Sequence, residues 1–430
     1  TSTFTVKLNS EPTSSVSVSL GLNGSDEFGV SDNLSFSSSD WNTLKTVTVT
    51  GADDDVADDN QTSTLTLSSS SSDSYYSGLS DNVTVTTTDN DTVGLVLSGT
   101  NATVSENGTT STFTVRLNSA PTANVTLSLS DNDTTEVLAS PTTLTFSSGN
   151  WSTSQVITLT GVDDNVSDDD QTTLLTLTPS GGDYSGLAAP TVTVTTSDND
   201  TVGLVLSKSS ALVSENGSVS DNFSVVLRSA PTANVTLTLS DNDSTEVTAS
   251  PTSLSFSSGN WSVAQWITLT GKDDNVSDDN VTSTITVAIN QSSTADTKYD
   301  TLDNRSVTVT TTDNDTAAFV VTESGSSMVV SESGSTDTFT VVLGSEPTGN
   351  VVFSLTNSDN ETTLSASTLT FTPSDWNSAQ TVTITGVDDN IDDDNVTSTI
   401  TVAINTNNTL DAKYDMLDNQ SVTVTTTDND

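Results

Sequence analysis

The sequence predicts an all-β protein made of tandem antiparallel β-sandwiches, and three observations support this fold class. Apolar residues alternate with threonine and serine along most of the chain, as at Phe113, Val115 and Leu117. Clusters of turn-forming residues separate these alternating runs at regular short intervals. The chain also repeats itself, because a block of 109 to 115 residues recurs along its length. No segment has the period of a long amphipathic helix.

Two sequence marks define the repeats. Each repeat ends on Asp-Asn-Asp, and each contains a phenylalanine, a tryptophan and an aspartate pair at a fixed spacing, as at Phe146, Trp151 and Asp163. The spacing recurs four times without an insertion, which predicts one rigid piece of structure. The marks divide the chain into four expected domains, called repeats 1 to 4 below: residues 1–91, 92–200, 201–315 and 316–430.

The alternation in repeat 2 predicts an immunoglobulin-like sandwich of about seven strands. The first two segments are interpreted as one strand broken near Gly99, and a tyrosine (75, 184, 299 or 414) marks the loop in which the repeats differ in length. Four tryptophans at equivalent positions, 41, 151, 261 and 376, are expected to pack at the core edge, whereas Trp266 should point outward. The predicted strands span 93–98, 102–106, 110–118, 124–130, 142–147, 154–160 and 171–178, closed by 191–197.

Repeat 1 lacks the leading strand that the other repeats have at 93–106, 202–215 and 317–332. Its first residues, TSTFTVKLNS, match TSTFTVRLNS of residues 110–119. An unpaired sandwich edge promotes association. We therefore expect either a fragment of a longer array or a neighbouring molecule that supplies the strand by β-augmentation.

The composition restricts the function classes. The chain has 57 acidic and 9 basic residues, a formal net charge of −48, and neither cysteine nor histidine. Such a chain repels nucleic acid and anionic membranes and favours cations as partners. It has no thiolate or imidazole ligand for soft metals, no catalytic histidine or cysteine, and no apolar run long enough for a membrane span. We predict a non-enzymatic protein that is extracellular or on a cell surface.

Acidic residues recur in three places of each complete repeat: a glutamate after the leading strand, a doubled aspartate cluster, and the closing Asp-Asn-Asp. Carboxylates gathered at one end repel one another and require a counter-ion. Calcium accepts six to eight oxygen ligands in irregular geometry, so Ca²⁺ is the expected cofactor. The closing aspartates lead directly into the next repeat, so the ion is predicted to sit at the junction and to stiffen it, which would arrange the four repeats as a rod.

These features together resemble the Calx-β family. The resemblance is carried by the VSENG glutamate, the LTFSSGNWSTSQVITLTGVDD hairpin with its acidic loop, and the acidic exit of the last strand, and it covers nearly the whole chain. It implies seven-stranded sandwiches that bind calcium at one end. The implied ligands are Glu106, Asp163, Asp164, Asp168, Asp198 and Asp200 in repeat 2; Glu215, Asp273, Asp274, Asp278, Asp313 and Asp315 in repeat 3; Glu332, Asp388, Asp389, Asp393, Asp428 and Asp430 in repeat 4; and Asp53, Asp54, Asp58, Asp89 and Asp91 in repeat 1.

The leading functional hypothesis is a calcium-stiffened structural stalk, sheath or filament on a cell surface, with self-association as its partner interaction. An adhesin that binds a glycan or surface protein through Trp266 is the alternative, and a cytoplasmic calcium sensor fits the charge less well. Asparagine sequons are abundant, and glycosylation at some of them would imply secretion. The sites considered are Asn101, Asn124, Asn150, Asn234 and Asn260.

Overall fold

The computed structural model describes residues 1–392 and 394–430 and confirms the all-β fold class. The chain divides into two compact units, Thr1–Asp200 and Thr201–Asp430. Each unit contains two pairs of sheets, and the described residues form no helix beyond the short 3-10 turns at Gly182–Tyr184, Tyr299–Thr301 and Tyr414–Met416. Among these residues there is accordingly no helix of the length and apolarity that a membrane crossing requires.

Repeat 1 is built from seven strands in two sheets. The smaller sheet has the order β1-β5-β3, and the larger has the order β4-β2-β6-β7. The strands are β1 (Ser2–Val6), β2 (Val16–Gly21), β3 (Phe28–Val30), β4 (Leu34–Phe36), β5 (Lys45–Gly51), β6 (Gln61–Ser71) and β7 (Ser80–Thr87).

Repeat 2 has the same seven strands and adds two leading strands. The first leading strand extends one sheet, of order β12-β14-β10-β8, and the second extends the other, of order β13-β11-β15-β16-β9. The strands are β8 (Leu95–Leu97), β9 (Asn101–Ser105), β10 (Thr110–Leu117), β11 (Val125–Ser130), β12 (Val137–Ser140), β13 (Thr143–Phe146), β14 (Gln155–Gly161), β15 (Gln171–Ser180) and β16 (Thr191–Ser197).

Repeats 3 and 4 reproduce this pattern of four and five strands. Repeat 3 contains β17 (Leu204–Leu206), β18 (Ser210–Ser214), β19 (Asp221–Leu227), β20 (Val235–Asp241), β21 (Val247–Ser250), β22 (Ser253–Phe256), β23 (Gln265–Gly271), β24 (Val281–Ile289) and β25 (Arg305–Thr312). Repeat 4 contains β26 (Phe319–Glu323), β27 (Met328–Ser331), β28 (Thr336–Leu343), β29 (Val351–Asn357), β30 (Thr362–Leu364), β31 (Thr368–Phe371), β32 (Gln380–Gly386), β33 (Val396–Ile404) and β34 (Gln420–Thr427).

The complete repeats therefore contain nine strands in the structure, not about seven. The leading segment does break near Gly99, as predicted, but its halves join different sheets: β8 pairs antiparallel with β10, and β9 pairs parallel with β16. Strand β12, which the pattern did not predict, pairs with the end of β14. It is only four residues long and stops at Pro141, so it offers too few alternating positions to be recognised.

The core of each sandwich consists of inward-facing residues of both sheets. In repeat 2, Phe113, Phe146 and Ile157 are buried in one cluster, and Trp151 packs against its edge as predicted. The prediction for Trp266 is also confirmed, since 58% of this residue is exposed.

A buried tyrosine fastens the variable loop to the rest of its sandwich. The Tyr184 hydroxyl donates to the Ser119 carbonyl oxygen at 2.9 Å and accepts from the Ser119 amide at 3.0 Å. In repeat 1 the predicted tyrosine was wrong by one position, because Tyr75 is 87% exposed and Tyr76 makes the equivalent bonds to Ser10. Two adjacent tyrosines cannot be told apart by spacing alone when the loop length varies.

A glycine at the end of each β14-type strand permits the leading strand to approach. A Cβ atom on Gly161 would overlap the carbonyl oxygen of Ser105, and Gly271 and Gly386 face Ser214 and Ser331 in the same way. In repeat 1, which lacks the leading strand, a Cβ on Gly51 would lie 3.3 Å from the flexible methyl group of Thr87 and near no backbone atom within 4 Å.

We expect Gly161→Ala to destabilise repeat 2 by about 2 kcal/mol or more, because the new methyl group must displace backbone and not a side-chain tip. Chemical denaturation of the full chain, followed by hydrogen exchange of residues 101–105, measures the loss. Gly51→Ala is the matched control and should change the stability of repeat 1 by less than about 0.5 kcal/mol. Equal losses in both variants would contradict the role assigned to the leading strand.

Candidate metal centre

The strand topology brings the glutamate and the closing aspartates of each complete repeat together. Parallel pairing of β9 with β16 places Ser105 opposite Ser197, so the next residues, Glu106 and Asp198, leave the sheet side by side. The Glu106 amide donates to the Ser197 carbonyl oxygen at 3.3 Å, and the Asn199 amide donates to Glu106 Oε2 at 3.1 Å. The position of Glu106 therefore follows from backbone pairing, which makes it a fixed feature of the sandwich.

Three such groups of carboxylates lie close enough to share one cation. In each group, one ligand oxygen per residue lies within 4.8 Å of the others. The glutamates are almost fully buried, with exposures of 1%, 2% and 3%, while the aspartates are partly accessible from solvent or exposed. The groups are Glu106, Asp198 and Asp200; Glu215, Asp313 and Asp315; and Glu332, Asp428 and Asp430.

The acidic loop has a local conformation that its aspartates enforce. Asp164 Oδ1 accepts the amide of Val166, two residues on, at 2.6 Å, which is an Asx turn. Asp169 adopts a left-handed backbone conformation with φ of 69°, which aspartate tolerates better than most residues. The same turn recurs after Asp54, Asp274 and Asp389, and the same left-handed residue at Asp59, Asp279 and Asp394.

The acidic loop meets the closing aspartates at one end of the sandwich. Asp198 accepts the Asp169 amide at 2.9 Å and the Asp200 amide at 2.7 Å, and the Asn199 side chain donates to Asp163 at 3.1 Å. The other loop residues predicted as ligands add to pKa shifts of which burial is the largest cause. Burial raises the pKa values of Glu106, Glu215, Glu332 and Asp315, and smaller contributions come from Asp164 and Asp168 for Glu106, Asp274 and Asp278 for Glu215, Asp389 for Glu332, and Asp273 for Asp315.

The remaining predicted residues fall in repeats 1 and 4. Asp89 accepts the amides of Asp58 and Asp59 at 3.1 and 3.0 Å, so repeat 1 closes its acidic loop as the others do, although it has no leading glutamate. Burial raises the pKa of Asp91, and the charges of Asp89, Asp55, Asp53 and Asp54 add to this shift. In repeat 4, the Asn429 side chain donates to Asp388 at 3.3 Å. Asp393 lies outside the described residues, and the assignment of all these residues as metal ligands stays a prediction.

Sequence reasoning missed a second glutamate in each repeat. Glu136 and Glu246 lie directly before the short strands β12 and β21, are buried, and each has one carboxylate oxygen without a hydrogen-bond partner. Glu27 and Glu361 hold the equivalent places in repeats 1 and 4. A signal existed: Glu136, Glu246 and Glu361 each precede the aspartate pair by 27 residues.

Burial and mutual repulsion raise the pKa values of the buried glutamates. Burial, followed by the charges of Asp168, Asp133 and Glu106, raises the pKa of Glu136 to about 7. Burial is also the largest cause for Glu215, whose pKa is raised to about 7 with added repulsion from Asp313. A carboxylate in such a place is held ionised only if positive charge compensates it.

The donor set fits a hard divalent cation. Carboxylate oxygens converge in each of these groups, and the sequence contains no histidine or cysteine. Such oxygen donor sets favour Ca²⁺ or Mg²⁺ over soft metals. In repeat 1 the acidic residues Glu27, Asp54, Asp89 and Asp91 line a cavity of about 20 Å³, which is the size of a single small occupant.

Within each unit the acidic loop of one repeat touches the next repeat. In the first unit, Ala120 donates its amide to the Asp55 carbonyl oxygen at 2.6 Å, and Val56 forms a parallel bridge with Ala120. In the second unit, the Glu346 amide donates to the Asn275 carbonyl oxygen at 2.7 Å. The residues that receive these loops, Ala120 and Glu346, follow directly after the serines that the buried tyrosines hold.

We expect the stability of the chain without divalent cations to increase as the pH falls from about 7.5 to about 5.5. The folded-state pKa values of Glu136 and Glu215 lie near 7, above the ordinary value of 4.5, so the folded state takes up protons in this window that the unfolded state does not. Melting temperatures measured in chelator test this prediction. Glu136→Gln combined with Glu215→Gln should flatten the pH dependence, whereas a melting temperature that falls with the pH would contradict it.

Comparison with known proteins places the chain in a family. The Calx-beta domain model matches residues 21–91, 88–200, 197–315 and 313–430. No curated protein matches the sequence. Similar solved structures include CBD12 from CALX1.2, at 17% identity over 50% of this chain and 99% of that chain with a TM-score of 0.24, and CBD12 of CALX1.1, a calcium binding domain, at 20% identity over 45% and 80% with a TM-score of 0.25.

A third similar structure is PcdhgB3 EC1-4, at 13% identity over 97% of this chain and 92% of that chain, with a TM-score of 0.34. The family matches together extend from residue 21 to residue 430 and fall once on each of the four repeats. The chain belongs to the Calx-beta domain family.

Proposed function

We propose that this chain is a non-enzymatic, calcium-binding repeat region of an extracellular or cell-surface protein, and that calcium stiffens the junctions between its repeats. The observation that carries the proposal is the convergence of a buried glutamate and two aspartates within 4.8 Å in each complete repeat. In repeat 3 these aspartates lead directly into repeat 4. The similar structure of CALX1.1 is of a calcium binding domain, which agrees with the cation inferred from the donor set.

Stiffening is supported by the contacts of the acidic loop. The acidic loop of repeat 3, which borders the group of Glu215, Asp313 and Asp315, also gives its Asn275 carbonyl oxygen to Glu346 of repeat 4. A cation that fixes the loop conformation would fix this hydrogen-bond acceptor as well. Ion binding and the angle between repeats 3 and 4 are therefore linked through one short segment, and repeat 1 makes the same loop contact with repeat 2 through Asp55.

An extracellular location agrees with the absence of cysteine, with the acidity and with the sequons. Asn101, Asn124 and Asn234 are exposed and would accept a glycan. Asn150 and Asn260 are half-buried, and each uses its side-chain oxygen to accept the amide of a serine three residues earlier, at 2.6 Å. We place glycosylation at the three exposed asparagines.

Calcium titration of the full chain tests the proposal. Isothermal calorimetry should show binding to several sites, and Glu215→Gln should weaken the site of repeat 3 by about tenfold or more, because it removes a buried charged ligand. Glu11→Gln, which neutralises an exposed glutamate outside every cluster, is the matched control. Absence of calcium binding, or an equal effect of both variants, would refute the proposal.

The stiffening is measured on the same protein with spin labels. The chain has no cysteine, so Ser255→Cys and Thr370→Cys place one label each on exposed positions of repeats 3 and 4. Calcium should narrow the distance distribution between the labels, and chelator should broaden it. If calcium does not change the width of this distance distribution, the proposed calcium binding stands but the proposed stiffening is refuted.

Direct adhesion is a second candidate, favoured by one observation. Trp266 is exposed on β23, where the other repeats have Thr46, Val156 and Thr381. An exposed indole is a common platform for sugar rings and protein partners. Glycan-array binding that disappears in Trp266→Ala but persists in Val156→Ala would support adhesion, and binding that is absent or equal in both variants would exclude it.

A further inference from the structure

Repeat 3 has a small pocket that is bordered by two arginines. The pocket has a volume of about 170 Å³, and its lining includes Arg228, Arg305 and Asp303. The rest of the lining comes mainly from the edge strand β17 and the two residues before it. Arg228 follows β19, which lies in the same sheet as β17, whereas Arg305 begins β25 in the other sheet. The pocket therefore lies at the edge of the sandwich, between its two sheets.

The two arginines are specific to repeat 3. The chain has 9 basic residues against 57 acidic ones, and no other repeat has a basic residue at either position. The place of Arg228 is taken by Asn9, Asn118 and Gly344, and the place of Arg305 by Asp81, Pro190 and Gln420. Since the repeats otherwise share one plan, the common fold does not explain this pair of charges, which indicates a role particular to repeat 3.

Repeat 4 shows the same edge in a closed form. There the Gln420 side chain donates to the Phe319 carbonyl oxygen at 2.7 Å and so links the two sheets. Phe319 corresponds to Leu204 of repeat 3, because each pairs with the last residue of the neighbouring strand. Arg305 stands in the place of Gln420 and, among the described residues, makes no such bond. The edge of repeat 3 is therefore open where that of repeat 4 is bridged.

Both guanidinium groups are available to a ligand. Arg228 and Arg305 are exposed, and within residues 1–392 and 394–430 no carboxylate lies at salt-bridge distance from either of them. By contrast, Lys45, Lys208 and Lys413 each pair with an aspartate at 2.6 to 2.9 Å. In a chain of this acidity, two unpaired arginines beside one pocket form a local site of positive charge.

The charges at the pocket select the kind of ligand. Two guanidinium groups and the Asp303 carboxylate give two positive charges and one negative charge. A guanidinium group presents N–H donors in a planar fork that matches the two oxygens of a carboxylate, and it stays charged at every physiological pH. A singly charged carboxylate therefore complements the pocket better than a doubly charged phosphate monoester, which Asp303 would repel more strongly.

An apolar strip connects the pocket with Trp266. Arg228, Val226 and Ser224 share the outer face of their sheet, because the residues between them are buried in the core. Trp266 lies opposite Ser224 and Val205 lies opposite Val226 in the strand pairing, so both belong to this outer face. Trp266 is 58% exposed and Val205 is 44% exposed. Since Ser224 precedes Arg228 by four residues, the indole and the pocket are separated by about 14 Å along the strand.

We propose that this face of repeat 3 binds an acidic oligosaccharide: the carboxylate of one uronic-acid ring lies between Arg228 and Arg305, and another ring stacks on Trp266. The indole favours a sugar, whose ring can stack on it, over a purely ionic ligand. The formal net charge of −48 favours a slender oligosaccharide over a second copy of the protein, whose approach this charge opposes. The inference rests on the adhesion candidate above, to which it gives a ligand class, and it requires no cation.

Calorimetric titration of the full chain with a galacturonic-acid trimer in chelator tests the proposal. We expect the trimer to bind at one site per chain, at least about tenfold more tightly than the neutral galactose trimer, because only the acid pairs with the guanidinium groups. Chelator removes calcium, so the acidic clusters cannot hold the sugar through an ion. Binding that requires calcium, or that is equal for the acidic and the neutral trimer, would overturn the inference. The separate calcium titration would still decide the proposed calcium binding.

Charge variants show whether the pocket holds the acid. Arg228→Gln and Arg305→Gln should each weaken binding by about tenfold or more, whereas Asp303→Asn should strengthen it. Arg116→Gln removes an arginine from the equivalent sheet of repeat 2 and is the matched control, which should leave the affinity unchanged. Circular dichroism checks that the variants are folded. Equal affinities of the three arginine variants would overturn the assignment of the pocket.

Ligand size tests the part assigned to Trp266. Trp266→Ala should weaken binding of the trimer by about fivefold or more but leave that of monomeric galacturonic acid unchanged, because the indole lies beyond the reach of a single ring in the pocket. Val156→Ala is the control for both ligands. An equal loss for the monomer and the trimer would contradict the assigned path of the oligosaccharide.

Two further ligands separate the uronic acid from other anions. A sulfated galactose trimer changes the charged group, and an aspartate trimer keeps the carboxylates on a peptide backbone. Weaker binding of both supports the inference. If the sulfated sugar binds as tightly as the galacturonic-acid trimer, recognition of a carboxylate is overturned. If the aspartate trimer does so, the surface binds acidic protein segments and the oligosaccharide is overturned.

Discussion

The parallel pairing of the second leading strand with the closing strand is the constraint on which each complete repeat depends. It is a single parallel contact in an otherwise antiparallel sandwich, and it joins residues that are nearly 100 positions apart in the chain. The pairing closes a sheet edge and covers the core. It also fixes the glutamate beside the closing aspartates. Stability and the acidic cluster therefore have one structural origin, and a change such as a methyl group on Gly161 affects both.

Electrostatics opposes this arrangement in the absence of a cation. Two carboxylate charges 4.8 Å apart repel by about 3 kcal/mol at an effective dielectric constant of 20, and each cluster has several such pairs. This repulsion is comparable in size with the 5 to 15 kcal/mol that typically stabilises a whole domain. Protonation of Glu136 or Glu215 near pH 7 relieves part of it, and ligation of a divalent cation relieves more. The folded repeat therefore holds its carboxylates at distances where they repel one another. A divalent cation that binds their oxygens relieves this repulsion and leaves the fold unchanged.

Much of this was predictable from the sequence because the determinants are local and repeated. Alternation identifies most strands, the fourfold recurrence identifies the repeats, and the sequence predicts that Glu106, Asp198 and Asp200 belong to one site. The errors have physical reasons. Strand β12 is too short to show a period, and Tyr75 and Tyr76 differ by one position in a loop of variable length. Glu136 lies far in sequence from the aspartate clusters, and only the sandwich shows that β12 starts beside the acidic loop. Burial, which sets its charge state, is a property of the fold and not of any short motif.

The two junctions within the units differ at one residue beside the buried tyrosine. In repeat 4 the residue before Tyr414 is Lys413, whose ammonium group lies 2.9 Å from Asp279 in the acidic loop of repeat 3. In repeat 2 the residue before Tyr184 is Asp183, which adds negative charge at the corresponding place. The junction of repeats 3 and 4 therefore has a lysine that partly neutralises its acidic loop, whereas the junction of repeats 1 and 2 has an aspartate at this place. The electrostatic repulsion therefore differs between these two junctions, and a lower salt or metal concentration affects the junction of repeats 1 and 2 more than that of repeats 3 and 4.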